Sequence, residues 1–224
     1  YIFATEGEAL QSINRREITG VGGLATKSLA ELKLGHQVFD VNMSRYYAVF
    51  LNQAAHPALK EKAVRAALAA ATDHQPLIET ILANRALVVD GPIPANVGGY
   101  SPPTDSERLS AEAIKESLTK AGWKLNDESV WSKTIDGRSE TLVFTLQVPQ
   151  VDFLVKTAEL LAAQWSAIGI KTQVVTLSPT DANNAVRNRN YVLMIFGNTL
   201  RGNPDIFSFW HSSERFHPGL NLSI

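Results

Sequence analysis

The chain has 224 residues, of which 45% are hydrophobic and 19% charged, a balance that suits a globular domain with one sizeable core or two small ones and excludes disordered and collagen-like classes. Its 21 basic and 22 acidic residues are scattered and sum to a formal charge of −1, so neither nucleic acid nor an anionic membrane finds an electrostatic footprint. The absence of Cys excludes disulfides, zinc ribbons and thiol nucleophiles, and no apolar run reaches the roughly 18 residues that a membrane-spanning helix needs.

Tyr1 to Thr5 is a short β-prone run without the features of a signal peptide, and the expectation is a piece of a longer chain. Glu8 to Arg16 predicts a helix. A glycine-rich stretch, Ile18 to Leu24, leads to a second helix that Thr26 caps and that runs to Leu32. Two strands are expected next, Val38 to Val41 and Arg45 to Leu51. Lys60 to Thr72 is Ala-rich, with Val64, Ala67, Leu68 and Ala71 on one helical stripe, and another helix spans Gln75 to Asn84. Four prolines and three glycines between Val88 and Thr104 make that segment a loop.

Ser110 is placed to cap a helix through Ala121, which Gly122 ends. Asp136-Gly137 predicts a hairpin between Ser129–Lys133 and Glu140–Val148, with Val143 implying burial on part of the second face. The longest helical period runs from Val151 to Ile168. It is followed by a strand, Lys171 to Leu177, a helix, Thr180 to Asn188, and a fully apolar, central strand, Tyr191 to Phe196. The β-α-β-α-β order from 140 to 197 argues for an α/β layer. Asn203-Pro204-Asp205 reads as a helix start.

Catalytic signatures are missing. Gly20-Val21-Gly22-Gly23 lacks phosphate-loop spacing, no G-x-S-x-G elbow occurs, and the five His form no metal-binding pattern, leaving surface or capping roles for them. Arg187 and Arg189 suit the dipole at a helix end. The best local candidate for a functional loop is Gly197 to Gly202, because ligand sites in α/β folds gather at the carboxyl ends of strands. Phe207, Phe209 and Trp210 follow it and either pack the core or line a pocket.

Seven segments, in order, resemble the bacterial extracellular solute-binding proteins of family 5, the oligopeptide and dipeptide type. They are Glu8 to Gly23 with Arg16-Glu17-Ile18-Thr19; Arg45 to Asn52 followed by Val64 to Ala71; Gly91-Pro92-Ile93-Pro94; Ala113 to Trp123; Leu142 to Leu146; Leu160 to Lys171; and Asn203 to Ser213. The resemblance implies an α/β, periplasmic-binding-protein-like (type II) lobe with a mixed central sheet flanked by helices. It further implies that 1–51 form part of a first lobe and the crossover strands, and that 52–224 form most of a second, ligand-binding lobe.

Implied with it are a solute, peptides first, as ligand and an ABC permease as partner of the full-length protein. The expected location is periplasmic or extracellular, with a lipid anchor left open, and neither catalysis nor a cofactor is expected. A non-peptide solute such as a sugar or metal chelate, or a sensory role, is the alternative. Cleft residues expected from the resemblance and the strand-end rule are Tyr46 and Tyr47 for stacking, Asn198, Thr199, Leu200 and Arg201 on the loop, and Trp210. Arg201 would pair with a ligand carboxylate. Leu200 stands where peptide-binding members resembling this chain carry an Asp for the ligand's α-ammonium, and is expected on the ligand-facing loop without a polar contact.

Overall fold

The computed structural model describes residues 1–33, 35–39, 41, 43, 45–89, 91–93, 109–199, 206–216, 219, 221 and 222. Helix α1 (Glu6–Asn14) begins with a capping box, the Thr5 hydroxyl accepting the Glu8 N–H at 3.3 Å and the Glu8 carboxylate accepting the Thr5 N–H. The strand expected over Tyr1 to Thr5 is therefore absent: Thr5 is committed to the cap, and Tyr1 and Ile2 are fully exposed. Ala25, not Thr26, holds the N-cap position of the 3-10 helix Thr26–Glu31. Val38, Phe39 and Val41 are exposed and in no strand, since β propensity without a partner strand leaves the backbone unpaired.

Strand β1 (Arg45–Leu51) matches its expected bounds, and the 3-10 turn Pro57–Lys60 leads to α2 (Lys62–Ala70), which buries Val64, Ala67 and Leu68. Helix α3 (His74–Pro76) passes directly into a π-helical turn, Leu77–Ile81. Ser110 caps α4 (Ala111–Lys120) by accepting the Ala113 N–H at 3.2 Å.

A small antiparallel sheet then forms from β2 (Lys124–Leu125), β3 (Trp131–Ile135) and β4 (Arg138–Thr141). The expected second hairpin strand, Glu140 to Val148, is in fact two strands in two sheets, β4 and β5 (Val143–Pro149), broken at Leu142. Leu142 is fully buried; its N–H donates to the Trp131 carbonyl of the small sheet, and its own carbonyl accepts the Lys171 N–H beside the main one. One residue thus hands the chain between sheets. Val143, just after the break, is 47% exposed, against the expectation of burial.

The remaining elements are α5 (Asp152–Ala167), β6 (Lys171–Leu177), α6 (Pro179–Asn188), β7 (Leu193–Thr199) and the short α7 (Phe207–Trp210). Gly169 ends α5 in the left-handed region at φ 86°, and a Cβ there would lie 3.0 Å from both the Trp131 indole nitrogen and the Leu125 side chain. The main sheet has the order β1-β7-β5-β6, with β5 parallel to β6 and β7 and β1 antiparallel to β7. It is a mixed sheet with β7 inside it, as its apolar sequence requires.

The sheet buries both faces. Leu146, Val148, Leu193 and Ile195 pack against Leu154, Ala158, Leu161 and Trp165 of α5 and against Val64 and Leu68 of α2. Each such buried aliphatic side chain contributes roughly 2 kcal/mol by leaving water. Phe50, Met194, Ala182, Tyr191 and Leu222 form the smaller core behind. Asn52 fastens the end of β1, its buried amide donating to the carbonyls of Arg189 and Tyr191 at 3.0 Å each. Arg189 itself does more than meet a helix dipole: it caps α6 at φ 55°, and its guanidinium donates to the carbonyls of Glu214, Gly219 and Asn221, tying the C-terminal segment to the sheet.

Candidate functional site

Because β5, β6 and β7 run parallel, their carboxyl ends at Pro149, Leu177 and Thr199 share one edge, and antiparallel β1 enters from that same edge at Arg45. This is where an α/β sheet offers backbone and side chains to a ligand. The register pairs Arg45 with Thr199, Tyr46 with Asn198 and Tyr47 with Gly197. Alternation along the strands then sends these pairs to opposite faces.

On the face toward α5, the Tyr47 ring lies across Gly197 so closely that a Cβ there would sit 2.5 Å from Cε1 of the ring. The absence of a side chain at Gly197 is what admits the ring. The same ring meets Phe153 in a T-shaped arrangement, with centroids 5.2 Å apart and planes at 81°. The Tyr47 hydroxyl accepts from Nη1 of Arg45 at 3.4 Å, and the Thr199 hydroxyl accepts from its Nε at 3.2 Å. Asp152, which opens α5 beside Phe153, pairs with Lys156 at 3.1 Å and Lys27 at 3.8 Å. The hydrogen bond from Lys156, then its charge, then the weaker pull of Lys27, hold the Asp152 carboxyl below its ordinary range.

On the other face Tyr46 is buried, 3% exposed, and accepts the Trp210 indole N–H at 2.9 Å, while Trp210 tilts against Phe50 at 5.7 Å. Trp210 is half-buried. The expected cleft residues therefore divide into two groups: Tyr47 and Thr199 share one face with Arg45, and Tyr46, Asn198 and Trp210 belong to the other. Leu200 and Arg201, and the cap expected at Asn203, lie outside the described residues.

Arg45 and Phe153 were not among the residues expected at the site. The available signal for Arg45 was a basic residue directly before an aromatic pair at a strand entrance; for Phe153 it was an exposed-end aromatic opening the most periodic helix. Of the histidines, His56 and His211 act as caps, accepting the N–H of Ala58 and Ser213 at 3.2 Å each. Among the described residues no group of three or more His, Asp or Glu gathers in a way that could hold a metal ion. A separate open hollow of about 700 Å³ is lined wholly by residues between 1 and 24, none of them in the sheet.

Residues 1–216 match the family described as Bacterial extracellular solute-binding proteins, family 5 Middle. The chain is 29% identical over 170 residues to the oligopeptide-binding protein AppA of Bacillus subtilis, which amounts to 72% of this chain and 30% of AppA. The solved structure of that AppA in complex with a nonapeptide aligns with a TM-score of 0.76 at 21% identity, covering 92% of this chain and 42% of the other. HbpA2 from Haemophilus parasuis aligns at 0.76 with 22% identity over 99% of this chain and 42% of its own. NikZ from Campylobacter jejuni in complex with Ni(L-His) aligns at 0.71 with 18% identity over 91% and 40%. The chain spans well under half the length of these relatives, and it shares with them the α/β fold of a type II periplasmic binding protein, a mixed sheet flanked by helices. The chain belongs to the bacterial extracellular solute-binding proteins of family 5.

Proposed function

We propose that the protein of which this chain forms part captures a small solute, peptides first, outside the cytoplasmic membrane and hands it to an ABC permease. The observation that carries this reading is the family match across residues 1–216, in a family of solute-binding proteins rather than enzymes. The carboxyl edge of the sheet supports it, because Tyr47, Thr199 and Arg45 offer there an exposed aromatic side chain, a hydroxyl and a charge, the groups of a binding surface. On this reading 1–51 contribute to the first lobe and the crossover strands and 52–224 to most of the second, with Tyr46, Tyr47, Asn198, Thr199, Leu200, Arg201 and Trp210 at or behind the cleft. Since Tyr46 is buried beneath Trp210, its part is to hold that indole in place.

A clamp gains affinity by closing two walls on its ligand and excluding water, so this chain alone binds weakly. Tight binding by the isolated 224-residue chain in titration calorimetry contradicts that. A non-peptide solute is the second reading, favoured by the like fold of NikZ, solved in complex with Ni(L-His), and by Leu200, where peptide binders resembling this chain place an acid. Deletion in the source organism tests the transport role: loss of uptake with responses intact supports it, and loss of a response with uptake intact marks a sensor instead.

A further inference from the structure

A guanidinium carries five N–H donors in a planar fork. Arg45 uses two of them on neutral acceptors, Nε on the Thr199 hydroxyl and Nη1 on the Tyr47 hydroxyl. Its charge has no carboxylate within ion-pair distance among the described residues, although Asp152, at the opening of α5, carries two lysines. Among the described residues the remaining N–H groups, including both on Nη2, have no acceptor.

The fork is also held in place. Thr199 is its register partner across β1 and β7, and the Tyr47 ring that supports it packs on the bare backbone of Gly197 and against Phe153. An arginine held by two hydroxyls at the carboxyl edge of a parallel sheet, with no carboxylate partner among the described residues, is preorganised for a planar oxyanion.

We propose that Arg45 is a specificity-determining residue that binds a carboxylate of the captured solute, in bidentate fashion through the N–H groups that Thr199 and Tyr47 leave free. This rests on the solute-capture reading above and, for a peptide ligand, assigns the carboxyl terminus to the β1 end of the sheet edge. Thr199 and Tyr47 act as positioning residues, since they turn the fork and do not themselves reach for the anion.

The test uses the full-length protein and a mixed-sequence peptide library free of Asp and Glu, in free-acid and C-terminally amidated forms, so that the terminus is the only carboxylate. Wild type is expected to bind the free acids at least tenfold more tightly than the amides, with a preference that shrinks as salt is raised. Arg45→Ala reduces that preference to less than twofold, and Arg45→Lys retains part of it by keeping the charge without the fork. Arg45 is exposed, so both variants are expected to fold, and the comparison of acid with amide on wild type requires no variant at all. Equal affinity of wild type for acid and amide, or a preference that survives in Arg45→Ala, overturns the assignment while leaving peptide capture standing. If neither form binds, peptide capture falls, and the assignment of a peptide carboxylate to Arg45 falls with it.

Discussion

Trp210 donates its indole N–H to the Tyr46 hydroxyl across 2.9 Å, joining two residues 164 positions apart and pinning the short α7 helix to the edge strand β1. Removing the hydroxyl in Tyr46→Phe leaves a half-buried indole N–H unsatisfied beside Phe50. The variant is expected to lose about 1–2 kcal/mol in denaturant titrations and to shift the Trp210 fluorescence relative to wild type. Unchanged stability and emission show that the contact is dispensable.

Gly197 and Tyr47 form the tightest approach at the site. Gly197→Ala places a methyl 2.5 Å from the ring, so the ring moves off Phe153 and destabilises the fold by about 1–3 kcal/mol. The same substitution in a Tyr47→Ala background has no ring to strike and is nearly neutral. A double-mutant cycle in which the two effects simply add contradicts the overlap described here.

Glu61 collects two part-buried donors, Trp123 Nε1 at 2.9 Å and Lys133 Nζ at 2.6 Å, with both charged side chains about a quarter exposed. They link the start of α2 to the small sheet. Glu61→Ala strands the Trp123 N–H and leaves Lys133 only the Ala121 carbonyl, and is expected to lower stability by about 1–3 kcal/mol, whereas Glu116→Ala, which breaks an exposed i,i+4 pair with Lys120, has a much smaller effect. Equal effects at the two positions would count against this ranking.

His56 packs edge-on against Phe144 with centroids 4.9 Å apart, and burial lowers its pKa below the ordinary 6.5 despite the opposing charge of Glu140. A depressed histidine favours its neutral form in the folded state. The stability it contributes is therefore complete above about pH 6.5 and is lost as the pH falls through the lowered folded value. His56→Asn keeps a capping acceptor for the Ala58 N–H and is expected to flatten this part of the stability-pH curve. A slope below pH 6.5 identical in wild type and variant refutes the assignment to His56.

Much of the main layer was legible because its signals are periodic. The bounds of β1 and β6 follow from β-branched and aromatic runs, and α5 from an apolar stripe between Leu154 and Trp165. Where reading failed, a tertiary partner decided. Thr5 serves a cap rather than a strand, and the run from Glu140 to Val148 divides at Leu142 because two sheets compete for that residue's backbone. At the site, alternation along a strand does place Tyr46 and Tyr47 on opposite faces. Which face turns toward α5, and which is sealed by Trp210, depends on chain segments more than a hundred residues away. Arg45 was illegible for the same reason: its position gains meaning only once Thr199 stands opposite.

The most direct test of solute capture is a thermal-shift screen of the full-length protein against free-amino peptides, amino-blocked peptides, oligosaccharides and metal chelates. A ligand at about 100 times its Kd adds about 2.7 kcal/mol to stability, which is readily seen as a higher Tm. Stabilisation by at least one class, peptides first, is the expected result, and a shift confined to blocked or non-peptide solutes directs the search away from free amino termini in keeping with Leu200. A well-folded protein whose Tm none of the four classes raises contradicts capture of these solutes.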